Sequence, residues 1–249
     1  MRIESTPAFV LRLVAYGEAD RIVELFTARR GRLAALARGA RRSRRRFGGV
    51  LDYFHRLEVR VRPGRGDLWH LEEAALCRAY PGVLRSLEAH GCAAHVLEVV
   101  RMGTREGAPE PDLFDLVGAA LDALDRGADP GSLKRVFQIR ALAALGYGLP
   151  ADACPECGQA LAGAGAVFHA GTLVCRGCAP PGAPGLSAGS VQTIRAALRA
   201  PAARLGRLHV PGAVERELGP VLDRVLCNAL GSRPRTLEGA AAIDPTGGI

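Results

Sequence analysis

Arg56-Leu57-Glu58-Val59-Arg60-Val61-Arg62 alternates charged and apolar residues without a break. A period of two puts Leu57, Val59 and Val61 on one face and the charges on the other, the pattern of a half-buried β-strand. Pro63-Gly64-Arg65-Gly66-Asp67 then supplies turn chemistry, and Leu68–Leu76 returns as another strand. Upstream, Val10–Tyr16 and Arg21–Thr27 are β-branched and aromatic, parted by the turn signal Gly17-Glu18-Ala19-Asp20. Arg32–Arg38 would suit a helix through Leu33, Leu36 and Ala37. The seven residues between Gly31 and Gly39 are few for one, so a strand is expected. Five short strands in the first 80 residues fit a small closed barrel of the OB-fold type.

From Pro81 onward the period lengthens to that of a helix. Leu113, Leu116, Val117, Ala120, Leu121 and Leu124 form one core-facing stripe, and Leu133, Val136, Phe137 and Ala141 form another. Val214, Leu218, Val221, Leu222, Val225, Leu226 and Leu230 make a third, and Val96, Leu97, Val99 and Val100 a less regular fourth. Gly146-Tyr147-Gly148 reads as a helix stop. The expected architecture is α+β and multidomain: an OB-fold barrel at 1–80, then a helical domain at 81–249 interrupted by a Gly/Pro-rich insert at 150–185 with few apolar residues. The tail after Arg235 is small and polar and is expected to fray.

The 249 residues carry a formal net charge of +8, unevenly spread. Residues 1–80 hold 17 arginines against nine acidic side chains, so the whole excess sits in the expected barrel. Lys134 is the only lysine among 33 basic residues, a bias of composition that argues nothing by itself. Eight of the 12 aromatic residues (Phe9, Tyr16, Phe26, Phe47, Tyr53, Phe54, Trp69 and Tyr80) lie in the same segment. Cations beside aromatic faces are how single-stranded nucleic acid is held, although strands also use aromatics simply as core. No apolar run approaches a membrane span, and Glu4 and Arg12 interrupt any secretory leader, so a cytoplasmic protein is expected.

Two motifs carry chemistry. Cys154-Pro155-Glu156-Cys157 and Cys175-Arg176-Gly177-Cys178 are C-x2-C knuckles 17 residues apart, the spacing of a zinc ribbon. Four thiolates close a tetrahedral shell, so Cys154, Cys157, Cys175 and Cys178 are expected to hold one structural Zn2+ with no open catalytic position. Cys77, Cys92 and Cys227 are isolated and read as small core residues. The first knuckle begins Ala153-Cys154 and not Pro-Cys, which departs from the zinc deaminases. No phosphate loop or H-E-x-x-H is present, so no enzyme, small-molecule substrate or membrane role is expected.

The second motif is Arg38-Gly39-Ala40-Arg41-Arg42-Ser43-Arg44-Arg45-Arg46-Phe47. Six arginines in nine residues repel one another and stay solvated. Such a run is either a merely solvated loop or a phosphate contact, and its place between two barrel strands favours phosphate. The expected DNA-binding residues are Arg32, Arg38, Arg41, Arg42, Arg44, Arg45 and Arg46, with Arg195 and Arg199 as a continuation on the helix after the insert.

With these residues in view, the chain resembles the RecO family of bacterial recombination mediators. The likeness is carried by Val10-Leu11, then Tyr16 through Thr27, Gly31-Arg32-Leu33 and Ala37 through Arg42. It continues in the four cysteines, in Leu186-Ser187 opening a helix, and in Leu230-Gly231-Ser232-Arg233. The resemblance implies binding of single- and double-stranded DNA, annealing of complementary strands and partnership with RecR. It also implies help in loading RecA on strands covered by single-strand-binding protein, whose acidic, apolar-ended tail would enter a groove of the helical region at 113–124 or 214–230. The dense arginine loop and the near-absence of lysine are departures. The competing reading is a basic protein-interaction scaffold whose DNA contact is incidental.

Overall fold

The computed structural model describes residues 3–43, 45–64, 66–161, 163 and 165–238. Five strands form where alternation and turn signals place them: β1 (Glu4–Tyr16), β2 (Asp20–Thr27), β3 (Gly31–Ala37), β4 (His55–Arg62) and β5 (Leu68–Ala79). They close into a barrel in the order β1-β2-β3-β5-β4. The β3–β5 seam is parallel and the other pairings are antiparallel, as in an OB-fold. Leu57, Val59 and Val61 are fully buried inside it, together with Ala8, Val10, Val23 and Leu25. Phe47 and Leu51, from the segment between β3 and β4, join the same core and anchor the end of the arginine loop.

Ala8-Phe9-Val10-Leu11 breaks the alternation for a reason. Ala8 and Val10 face into the barrel, while Phe9 and Leu11 face outward into a second core shared with helices. There Phe114 meets Phe9 at 4.9 Å and Phe26 at 5.6 Å between ring centroids, tilted contacts worth about 0.5–1.5 kcal/mol each beyond their buried area. The outer face of β1 and β2 at this end is covered.

The helices are α1 (Leu87–Gly103), α2 (Pro111–Asp125), α3 (Pro130–Ala144), α4 (Ala188–Arg199) and α5 (Gly212–Leu230). Ser86, Asp129 and Ser187 cap α1, α3 and α4 by accepting the N–H of Ala89, Ser132 and Ser190. Each such cap contributes about 1 kcal/mol. The stripes at 113–124 and 214–226 are buried in the bundle, so neither forms the floor of an open groove.

Two expectations need correction. The insert is not poor in core: Ala151, Leu161, Ala166, Val167, Phe168, Leu173 and Val174 are buried and continuous with the helical core. The last five are carried on β6 (Ala166–His169) and β7 (Thr172–Val174), which with β8 (Gly185–Leu186) make a small sheet in the order β7-β6-β8. Nor does the chain fray at Arg235, because Arg235–Leu237 is a 3-10 turn docked on α1. The rest of that tail, 239–249, lies outside the described residues.

Candidate nucleic-acid interface and metal centre

The arginine loop leaves β3 through Gly39, whose N–H is held by the Asp20 carboxylate at 2.7 Å. The N–H of Arg41 donates to the Ala19 carbonyl, which ties the loop to the β1–β2 turn. Downstream, the Ala74 N–H donates to the Arg46 carbonyl and Phe47 is buried, so the loop is pinned at both ends. Arg38, Arg41, Arg42, Arg45 and Arg46 are all exposed between those pins. Among the described residues their only ion pair is Arg42 with Glu18, at 3.8 Å and with both side chains largely in solvent. Arg46 donates to the Arg38 carbonyl and lies over the Phe47 ring. Arg44 lies outside the described residues.

The other named arginines are occupied. Arg32 is 23% exposed; it donates to the Thr104 carbonyl and pairs with Glu24 at 2.6 Å and Glu106 at 3.4 Å. Arg195 and Arg199 both pair with Asp152 at 2.8 Å, stapling α4 to the entrance of the insert. These pairs leave Arg32 and Arg195 mostly withdrawn from solvent, whereas Arg199 keeps 64% of its side chain exposed and shares its carboxylate with Arg195.

Most of the aromatic residues resolve as core. Phe9, Phe26, Phe47, Phe54 and Tyr80 are buried, which leaves Tyr16, Tyr53 and Trp69 with solvent-facing surface. The bulk of the aromatic surface thus holds the helices on the barrel and is not free for bases. Cys77 is exposed, against the expectation of a core position, while Cys92 is buried and Cys227 half-buried.

Sulfurs of Cys154, Cys157, Cys175 and Cys178 all lie within 4.8 Å of one another, and no disulfide joins them. Four thiolates around a Zn–S distance of about 2.3 Å would sit about 3.8 Å apart, so the cluster has the dimensions of a tetrahedral metal shell. Cys157 and Cys175 approach to 3.6 Å. Backbone N–H donation, led by Cys175, draws the Cys154 thiol down to about 6, while the neighbouring cysteines push Cys178 up to about 12. Four sulfurs this close cannot all ionise unless a cation compensates them. The residues fit a four-thiolate metal ion. A His-x-Glu pair, the other half of deaminase chemistry, does occur at His70-Leu71-Glu72, but on β5, where Glu72 pairs with Arg62. The metal cluster is made of cysteines alone.

Sequence reasoning missed a buried polar network. His95 and Glu98 sit inside the apolar run of α1, 0% and 2% exposed. The Glu98 carboxylate accepts the N–H groups of Arg235 and Thr236 and the Thr236 hydroxyl. With that hydroxyl proton spent, His95 Nδ1 donates to Thr236 Oγ1 at 2.7 Å, and His95 Nε2 accepts from Gln138 at 3.1 Å. Burial pushes the imidazole down to about 3, which keeps it neutral. Arg135 continues the network, gripping Glu215 through two nitrogens and pairing with Asp223. The one available signal was two polar residues three apart in an apolar helix.

Comparison with known proteins agrees with this architecture. The model of the family "Recombination protein O N terminal" matches residues 1–80, and "Recombination protein O C terminal" matches 84–238. The chain is 37% identical over 239 residues to the "DNA repair protein RecO" of Pelobacter propionicus, covering 96% of each. It is 40% identical over 223 residues to that of Geobacter sulfurreducens, covering 87% of this chain and 88% of the relative. The like-named protein of Anaeromyxobacter sp. strain Fw109-5 is 40% identical over 232 residues, covering 90% of each. A five-stranded barrel, a helical domain with a four-cysteine insert, and matches along nearly the whole length together establish that the chain belongs to the RecO family of DNA repair proteins.

Proposed function

We propose that this chain is a non-enzymatic DNA-binding and strand-annealing protein whose phosphate-contacting element is the arginine loop. Within it, residues 1–80 form the DNA-binding unit and residues 81–249 the helical unit. The observation that carries the reading is five exposed arginines on a doubly pinned loop with a single long ion pair among them. Cations left without carboxylate partners repel one another, and an anionic polymer relieves that cost by giving up its condensed counterions. Two strands held on one basic surface have their mutual repulsion screened, and base pairing then selects the partner. Sequence preference is not expected, because phosphates position a protein without identifying bases.

Zn2+ at Cys154, Cys157, Cys175 and Cys178 would fix the two knuckles to each other and supply no reaction. RecR, single-strand-binding protein and, indirectly, RecA are the partners the family resemblance implies. The burial of Phe9 and Phe26 favours a second reading, in which the loop docks an acidic protein, since the stacking surface for DNA is smaller than expected. An annealing assay with two complementary oligonucleotides separates them. Accelerated duplex formation that is lost when Arg41, Arg42, Arg44, Arg45 and Arg46 become alanine supports annealing. An unchanged annealing rate in the presence of the protein supports the scaffold.

A further inference from the structure

Away from the arginine loop, at the end of the barrel where β2 turns into β3 and β4 into β5, lies a cavity of ≈ 300 Å³. Arg30, Arg32, Pro63, Asp67, Trp69 and Glu106 line it. One wall comes from the segment after α1: the Gly107 N–H donates to the Arg32 carbonyl, and Gly31 pairs with Glu106. A Cβ on Gly31 would stand 1.9 Å from the Ala108 carbonyl oxygen, so this wall depends on glycine there. Trp69 is half-buried, and the Arg30 guanidinium lies over its ring at 5.8 Å from the centroid. Glu4 holds that guanidinium by two hydrogen bonds, which fixes its plane.

We propose that this cavity is a subsite for one unpaired nucleobase of a bound single strand, stacked against Trp69 beside the Arg30 guanidinium. The inference rests on the DNA-binding reading above and names a second contact for it. Aromatic rings and guanidinium planes are the two surfaces on which single-stranded bases stack, and here they are placed together. The volume suits one ring system; it lies at the small end of ligand cavities. Charge selects the base over the phosphate. Glu4 holds Arg30, and Glu24 and Glu106 both face Arg32, so with Asp67 the described carboxylates here outnumber the guanidinium groups and would repel a phosphate but accept from base N–H groups. The arginine loop has the opposite character. The seven residues of β3 separate the two regions by about 20 Å, a distance a short stretch of single strand can bridge.

Trp69 is the chain's only tryptophan, so its fluorescence reports this site alone. The full-length protein is titrated with three end-labelled oligonucleotides of equal length: an ordinary single strand, an abasic strand with the same phosphates, and a duplex. Label anisotropy reads binding while Trp69 emission reads stacking. The expected result is that all three bind and only the ordinary single strand quenches Trp69. Trp69→Ala should weaken single-strand binding about tenfold, leave duplex binding unchanged, and be rescued by Trp69→Phe. Binding of the single strand without quenching, or equal quenching by the abasic strand, overturns the subsite and leaves the DNA reading standing. No binding by anisotropy overturns both. The wild-type titration decides the question even where Trp69→Ala fails to fold.

Discussion

Two groups of arginines in this molecule, one in the helical domain and one on the barrel's loop, do opposite work. In the helical domain Arg135 is 11% exposed and gripped by Glu215 and Asp223, and Arg195 and Arg199 share Asp152. In the barrel the loop arginines stand in solvent, Arg42 with 74% of its side chain exposed and its one carboxylate 3.8 Å away. The residue type is the same and the neighbours are not. A buried, compensated guanidinium is part of the fold, because removing it strands two carboxylates. An exposed, uncompensated one contributes little to the fold and is available to an outside anion. Net charge by segment already located this contrast. Only the partner of each guanidinium says which arginines belong to which class: Arg30, Arg32, Arg60, Arg62 and Arg78 lie in the barrel but are paired with carboxylates.

The largest expected effect falls outside the arginines and sets the scale. Chelation, or serine at Cys154, Cys157, Cys175 and Cys178, should release the knuckles and lower the melting temperature by about 10 °C, as several kcal/mol of metal binding are lost. The buried Val167, Phe168, Leu173 and Val174 should keep β6 and β7 partly ordered, so proteolysis should cut first at the knuckles and spare the barrel. Metal analysis that finds no zinc in protein purified under reducing conditions would remove the basis for this expectation.

Next in size is Arg135→Ala, expected to cost about 3 kcal/mol in urea unfolding with no change in the salt dependence of DNA binding. A change in that salt dependence would merge the two classes of arginine. His95 gives the third effect. Its folded pKa, about 3, lies below the unfolded value near 6.5, so below pH 6.5 the unfolded state alone binds a proton. Stability should therefore fall on acidification, by about 1.4 kcal/mol per pH unit from this group, until the pH nears 3. His95→Gln should remove that component of the slope. Smallest of all, Arg41→Ala, Arg42→Ala or Arg45→Ala should each move stability by no more than about 0.5 kcal/mol. A loss above 1 kcal/mol from any of them would place that residue with Arg135.

The parts of the molecule legible in its sequence are those governed by local period and spacing. Leu57, Val59 and Val61 declared β4 because a strand's two faces are written in adjacent residues, and the two C-x2-C knuckles declared the metal shell. What stayed hidden depended on partners far away along the chain. Phe9 and Phe26 look like an open aromatic face until Phe114, about 90 residues further on, covers it. Glu98 and Thr236 are 138 residues apart, so nothing near either residue announces that the C-terminal turn closes over α1. The insert was misjudged because its apolar residues come in runs of only two or three between glycines, and only the small β-sheet joins them to the helical core.

The central claim is that the loop arginines, and not the compensated ones, carry DNA binding, and the salt dependence of single-strand affinity tests it most directly. With about five phosphates neutralised, the slope of log affinity against log salt should be near −3.5 for the wild type and for Arg135→Ala. It should flatten toward zero when Arg41, Arg42, Arg44, Arg45 and Arg46 are replaced by alanine. An unchanged slope in that loop variant would contradict the account and move the footprint to another surface.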